Sequence, residues 1–359
     1  MKIIIFAGGT GKRFWPVSRR KSPKQFQSVI DNKPLIRLKY DYLRFKFNPE
    51  DIFVSTGIQY KNEIENILNE IPQENFIYEP AMIDNGAAVA LAVSYVKSKY
   101  PNEIISIQWS DHYIKNPETF VNALSEGEKL AKTENKTIII GVPARYPSPN
   151  RGYIKFGKTI RTIGNNNNIT LCEFKKFVEK PTVEIAKNYI DSKDYLWNPG
   201  YLISHPDYIL EKYKKFTPDI YEGISKIAKN NFSKESLQKY EKLPRIAFDY
   251  VFPENLTENE ALVLSVEMGW NDVGEWVSLK ETLEKSASEN VTSGNVLDMG
   301  STNSLIYNYE NKKLVSTINL KDMIVINTED VIAVFHKDDN GALKEYLKLL
   351  EEKGYTNYL

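Results

Sequence analysis

The chain opens on a strand that runs straight into glycine. Ile3-Ile4-Ile5-Phe6 is an unbroken β-prone apolar run, and Ala7-Gly8-Gly9-Thr10-Gly11-Lys12-Arg13 follows it with no spacer. Such a run, bounded by glycines, reads as a buried strand ending in a loop of exposed backbone. Glycines let that backbone approach a phosphate closely and point several N–H groups at it. The stretch Phe14-Trp15-Pro16-Val17-Ser18-Arg19-Arg20-Lys21-Ser22-Pro23-Lys24-Gln25-Phe26 then adds four cations to Lys12 and Arg13, and no acid intervenes before Asp31. Glycine backbone beside concentrated positive charge is a site for a polyphosphate. Two commoner phosphate loops are excluded. A Walker A loop needs Ser or Thr after Gly-Lys and a glycine five residues earlier, where this chain has Arg13 and Phe6. A dinucleotide fingerprint starting at Gly9-x-Gly11 needs a third glycine where Phe14 stands.

Behind the loop, strand-like runs alternate with helical ones. Helices are expected over 34–46, 60–69, 85–99 and 117–133, and strands over 51–55, 75–78, 104–109 and 137–142. This βαβαβ order argues for a mixed, mostly parallel α/β sheet covered on both faces. A hairpin is expected over 153–177, its tip in the asparagine run 165–168. Helices follow near 183–191 and 206–229, and a strand over 261–266. From 292 to 335 the pattern changes to short strands and turns, and 341–353 reads as an amphipathic helix. The expected division is a catalytic domain over 1–287 and a small β-rich domain over 288–359 ending in a helix.

Bulk properties narrow the function. Lys+Arg and Asp+Glu are equal at 47 each, so no global field attracts nucleic acid or an anionic membrane. Cys172 is the sole cysteine, which rules out an internal disulfide. No apolar stretch has the length of a membrane span, and nothing like a leader precedes the first strand. The expectation is a cytoplasmic enzyme with no nucleic-acid or membrane partner.

Two acids carry the expected chemistry. Asp111 follows the buried run 104–109, and Asp272 lies in Gly269-Trp270-Asn271-Asp272-Val273-Gly274. A carboxylate at the C-terminal lip of a parallel strand stands where α/β proteins bind ligands. Mg²⁺ prefers one or two carboxylates plus phosphate oxygens and water, so Asp111 and Asp272 are the expected metal ligands. His112 is expected to face away from Asp111, since neighbours on an extended segment alternate sides. Asp84 reads as a helix cap, and no nucleophile is convincing.

The residues from Phe6 to Phe26 resemble the signature of the sugar-nucleotide pyrophosphorylases, and Arg13-Phe14-Trp15-Pro16 with Pro23-Lys24-Gln25-Phe26 resembles their mannose-1-phosphate guanylyltransferase branch. Further matches extend to residue 279. The resemblance implies a Rossmann-like nucleotidyltransferase domain, followed by a short β-helix-like domain. It implies GTP and mannose 1-phosphate as substrates, GDP-mannose and pyrophosphate as products, and Mg²⁺ as cofactor. Arg13 and Lys24 would act on the triphosphate. Ala7, Gly8, Gly9, Gly11, Glu79, Pro80, Asn85 and Asp111 would bind the nucleotide, with Glu79 accepting from guanine's two Watson–Crick donors. Gly152, Tyr153, Glu179, Lys180 and Asn198 would bind the sugar phosphate. Asp84 and Gly86 depart from the family's Arg-Asn-Thr-Ala around Asn85, Pro199 replaces a serine, and Lys12 stands where threonine is usual. Asp249 matches a further segment and reads as structural. A homodimer is a further expectation. Two alternatives stay open: the same reaction on another sugar 1-phosphate, such as a heptose, and a catalytically silent nucleotide-sugar sensor.

Overall fold

The computed structural model describes the chain except residues 10, 11, 20–22, 165–167 and 287, and the side chains of Lys12 and Asn340. Gly11, Arg20, Lys21 and the asparagine loop tip therefore lie outside the described residues. The chain divides into two compact units, residues 1–8, 39–110 and 114–270 in the first and 9–38, 111–113 and 271–359 in the second. The glycine loop thus leaves the first unit at Gly8 and enters the second at Gly9, and Asp111 and Asp272 belong to the second.

The first unit is built on one ten-stranded sheet. Its centre is Lys2–Phe6, whose Ile3, Ile4 and Ile5 are 0% exposed. It pairs in parallel with Ile52–Gly57 on one side and Ile105–Trp109 on the other, and Phe76–Glu79 extends the first side. A run apolar on both faces suits a parallel strand covered by helices above and below. The chain builds outward from Lys2–Phe6 in one direction and then returns beside it with Ile105–Trp109, so the strand order reverses there. The crevice beyond the carboxyl ends of such a pair is where open α/β sheets bind ligands. Gly8, Glu79 and Ser110 all lie at that edge.

The other half of the sheet is more antiparallel than expected. Leu202–Ser204 inserts antiparallel between Ile105–Trp109 and Thr137–Pro143. The hairpin Gly152–Ile163 and Ile169–Val178 pairs antiparallel to Ala261–Val266, which runs parallel to Thr137–Pro143. Tyr195–Asn198 closes the edge against Gly152–Ile163. The helix Asn85–Lys99 begins where its sequence indicates, with the Asp84 side chain accepting from the Asn85 N–H. Ala87 to Val93 are all buried, so it packs on every side, as a helix with apolar residues all round must. Its neighbours are Pro206–Phe216 and Pro218–Lys229. Those two correct the expectation of one helix over 206–229: Pro218 lacks the N–H that continuation requires and disfavours helix at Thr217.

The second unit carries the short strands. Val291–Ser293, Leu305–Asn308 and Met323–Asn327 stack in parallel, and Val296–Met299 pairs in parallel with Val315–Ile318. Leu305 faces Ile324 and Val296 faces Val315, both offsets of 19 residues. Val291 faces Leu305 at a shorter offset of 14, and such stacked parallel rungs make this part β-helix-like. Asn308 and Asn327 stack at the offset of 19, with Asn327 Nδ2 donating to Asn308 Oδ1 at 2.7 Å. The helix Leu343–Glu352 comes next. Trp276, 0% exposed, donates through Nε1 to the Trp15 carbonyl at 2.9 Å and packs its ring 4.8 Å from Phe14. Phe14 and Trp15 are therefore anchors that hold the basic loop to the rest of its unit.

Candidate active site

In the second unit the loop delivers a cation to a carboxylate. Pro23 is extended and Lys24–Phe26 forms a single 3-10 turn. The Lys24 side chain, 6% exposed, places Nζ 3.1 Å from Asp111 Oδ2 and 5.6 Å over the Phe14 ring. Withdrawal of the Asp111 carboxyl from water would raise its pKa. The charge of Lys24, then that of His112, and the Lys24 hydrogen bond override this and hold it well below the usual carboxylate range. Asp111 thus stays ionised at any pH a cell offers.

His112 does not face away. Its Nε2 lies 3.8 Å from Asp111 Oδ1. Ser110 and Asp111 form a turn between two strands, so the alternation of an extended segment does not hold at this step.

Arg13 and Asp272 meet at a glycine. A Cβ on Gly274 would stand 3.4 Å from both Arg13 Nη1 and Asp272 Oδ1, so guanidinium and carboxylate flank the same backbone. Arg13 is exposed and free to reach a ligand. Arg19 is committed elsewhere: it forms a two-bond pair with Asp330 at 2.6 and 2.7 Å. It braces the loop, so the cations expected to serve a polyphosphate reduce, among those described, to Arg13 and Lys24. Among the described residues no group of three or more His, Cys, Asp or Glu is gathered for a metal. Asp111 and Asp272 each offer the kind of oxygen donor that a hard cation takes together with phosphate oxygens and water.

The first unit holds the other candidates. Gly8 emerges exposed from the central strand, while Gly9, the first residue of the second unit, takes φ +104, a conformation that favours glycine. Ala7 is fully buried and its N–H and C=O are bonded to Ser55 and Thr56. Its role is to fix where Gly8 leaves the sheet. Glu79, 5% exposed, ends Phe76–Glu79 beside exposed Pro80. Burial pushes its pKa up to about 7, although the Tyr240 hydroxyl, donating to Oε2 at 2.8 Å, pulls it down. Asn85 Oδ1 accepts from the Phe248 N–H at 2.7 Å, so this side chain ties the start of the Ala-rich helix to the segment holding Asp249.

Gly152, Glu179, Lys180 and Asn198 come together. Asn198 pairs with Gly152 across adjacent strands, and a Cβ on Gly152 would lie 2.6 Å from Glu179 Oε2. Only glycine lets that carboxylate approach. Lys180 Nζ donates to Glu179 Oε1 at 2.5 Å and keeps more than half its side chain exposed. Asn198 Oδ1 accepts from the Gly200 N–H at 3.0 Å. Tyr153 differs: its side chain is buried and its hydroxyl bonds the Ser148 backbone. Only its backbone is left for a ligand.

No sequence signal pointed to Tyr240, and the sequence reads Asp249 as structural. With Asn198, Trp109 and Phe248, Asp249 lines a small cavity. Burial, then the negative charge of Glu179, raises its pKa. Phe-Asp-Tyr-Val was visible, but the neighbour that perturbs it lies in another motif.

The first unit reverses its strand order beside Lys2–Phe6, as ligand-binding α/β sheets do, and the second carries the basic loop with Lys24 on Asp111. The family model described as nucleotidyl transferase matches residues 2–289, and that described as MannoseP isomerase/GMP-like beta-helix domain matches residues 294–350. A mannose-1-phosphate guanylyltransferase of Salmonella montevideo is 31% identical over 97% of this chain and 73% of its own length. Mannose-1-phosphate guanylyltransferase 2 of Escherichia coli O157:H7 is 29% identical over 99% of this chain and 74% of its own length. A solved structure described as mannose-1-phosphate geranyltransferase, from Thermus thermophilus, superposes with a TM-score of 0.85 at 25% identity, covering 98% of this chain and 99% of that one. The chain belongs to the nucleotidyl transferase family, in its mannose-1-phosphate guanylyltransferase branch. Enzymes of this family generally use a divalent metal.

Proposed function

We propose that this chain transfers a guanylyl group from GTP to mannose 1-phosphate, giving GDP-mannose and pyrophosphate. The observation that carries the reading is the match, over 97% of this chain and 73% of the relative, to a mannose-1-phosphate guanylyltransferase by a chain that keeps Lys24 paired to Asp111 and Arg13 beside Asp272. The sugar's phosphate oxygen attacks the α-phosphorus in line, the bond to the β-phosphate oxygen breaks, and pyrophosphate leaves. The attacking oxygen is already ionised, so positioning and charge neutralisation suffice. Lys24 turns from Asp111 to the α-phosphate, and Arg13 meets charge building on the leaving group. Glu179 and Asn198 hold sugar hydroxyls, and Lys180 holds the sugar's phosphate. Asp111 and Asp272 would hold a Mg²⁺ ion, which would supply neutralisation of phosphate charge. Both substrates are cytoplasmic metabolites, and we place the enzyme there. Pyrophosphate release with GTP against a panel of sugar 1-phosphates tests the reading, and a sugar used better than mannose 1-phosphate would replace it.

Metal removal gives one expected result. Enzyme treated with EDTA should lose turnover and regain it with Mg²⁺, and Asp111→Asn and Asp272→Asn should each raise the half-saturating Mg²⁺ by about ten-fold or more. Full activity after EDTA treatment would remove the metal from the mechanism.

Base choice gives another. Glu79→Gln should weaken GTP use by about ten-fold or more, because each lost charged hydrogen bond costs roughly 1.5–3 kcal/mol and Gln presents a donor to guanine's donors. Since guanine needs the carboxylate and burial pushes Glu79 up to about 7, kcat/KM for GTP should fall as pH drops through that value. Competition among GTP, ATP and UTP checks both. A Gln variant that discriminates as the wild type does would place base reading elsewhere, most directly on the backbone of Ala7–Gly9.

A further inference from the structure

Tyr240 belongs to no motif and has no exposed surface, yet its hydroxyl meets the buried carboxylate of Glu79 at the end of a sheet strand. The residue is 0% exposed and begins the single turn Tyr240–Lys242. Its hydroxyl lies 2.8 Å from Glu79 Oε2, across 161 residues of sequence. Tyr213 and Tyr95 of this unit satisfy their hydroxyls on the backbone carbonyls of Gly86 at 2.6 Å and Glu74 at 2.8 Å, and Tyr78 donates to the partly exposed Glu65 carboxylate at 2.6 Å. A neutral carbonyl partner costs little. A carboxylate buried with a single neutral donor costs a good deal more. Burial pushes Glu79 up to about 7 in spite of the hydroxyl, and burial, then the charge of Glu79, drives the Tyr240 hydroxyl far above its ordinary value. Packing alone would be served by phenylalanine here, and hydrogen bonding alone by a carbonyl.

We propose that Tyr240 is the positioning residue for base selection: its hydroxyl locks the Glu79 carboxylate in one orientation and thereby sets the preference for guanine over bases that lack its two Watson–Crick donors. The inference rests on Glu79 reading the base. A carboxylate offers about four acceptor directions. Tyr240 occupies one, which leaves enough for N1–H and N2–H. Holding the group in a single orientation before the base arrives removes an ordering cost that would otherwise weaken GTP and spare its competitors. Among the described residues, burial and Tyr240 are what move the Glu79 titration, with Tyr213 standing behind Tyr240.

Tyr240→Phe tests this, with pyrophosphate release measured for GTP, ATP and inosine triphosphate, which lacks the 2-amino donor, from about pH 6 to about pH 9. The expected result is a fall of about five-fold in the GTP-over-inosine-triphosphate ratio of kcat/KM. Removing a hydrogen bond that lowers the Glu79 pKa should also move the acidic limb of the GTP profile to higher pH. KM for mannose 1-phosphate should hold. A merely structural tyrosine would lower thermal stability and every kinetic parameter together, with neither the ratio nor the limb singled out, and that result overturns the proposal. Tyr240→Met removes the hydroxyl while filling the space with a flexible chain, so a folding failure in one variant leaves the other to decide. If Glu79→Gln lowers the ratio and neither Tyr240 variant does, the positioning role falls alone. If Glu79→Gln leaves the ratio untouched, the base-reading role falls and takes the proposal with it.

Discussion

Lys24→Ala should lower kcat by about 10²-fold or more in a protein that still folds. The Lys24 side chain is 6% exposed and lies over Phe14, so its ammonium is held in place by packing before any substrate arrives. A charge held in a dry setting acts on a developing phosphate charge without reorganising at the moment of reaction. Arg13→Ala should cost a similar factor, since its guanidinium flanks Gly274 with Asp272 and is exposed toward a ligand. Lys24→Arg should not restore activity: a planar fork is not a compact point charge, and Phe14 and Asp111 leave little room for it. Arg19→Ala, on the same loop, should keep kcat within about three-fold, because Arg19 is spent on Asp330 at the surface, where ion pairs contribute little. Steady-state pyrophosphate release and thermal melts on the four variants check the set. A normal kcat in Lys24→Ala would remove that residue from the reaction.

Two residues so near in sequence differ in role because of what faces them, and the sequence shows only part of that. It placed Lys24 and Asp111 in separate motifs, and their resemblance to a known family supplied the link that the 3.1 Å contact makes physical. Elements with strong local signals were legible to the residue: Asn85–Lys99 from its Asp84 cap and alanine run, and Ala261–Val266 from its short apolar run. The break at Thr217-Pro218 had a local signal, the proline, that the amphipathic pattern on either side outweighed. The β-helix-like stack had almost none. Its later rungs repeat at 19 residues, yet Val296 over Val315 and Asn308 over Asn327 are among the few identities the offset preserves, while Thr302 lies beside Lys321. Backbone pairing holds such a stack, and backbone carries no sequence signature. Tyr240 was silent for a different reason: a hydroxyl acting on a carboxylate 161 residues away leaves no pattern in either segment.

The anchoring of the basic loop gives the other large effect. Trp276→Ala should destabilise the protein by about 3–5 kcal/mol, the usual cost of emptying a buried aromatic site. Trp276 is 0% exposed, its ring lies 4.8 Å from Phe14 and 5.9 Å from Tyr307, and its Nε1 holds the Trp15 carbonyl. Trp15 in turn donates to the Tyr358 carbonyl at 2.7 Å, and Tyr307 donates to the Val29 carbonyl at 3.1 Å. One indole therefore fastens the start of the loop to the β-helix-like part of its own unit, and the Tyr307 hydroxyl secures the strand Ser28–Ile30 beyond the loop. Trp276→Phe keeps most of the ring volume but leaves the Trp15 carbonyl without its donor, so about 1–3 kcal/mol should be lost. Urea midpoints at constant m-value measure both changes. The two variants also separate packing from chemistry. Because Phe14 lies under the Lys24 ammonium, loosening it should lower kcat in Trp276→Ala beyond what the unfolded fraction explains, and less so in Trp276→Phe. A Trp276→Ala protein with an unchanged midpoint would show that the loop is held by its ion pairs, Arg19 to Asp330 first among them, and that the aromatic contacts merely fill space.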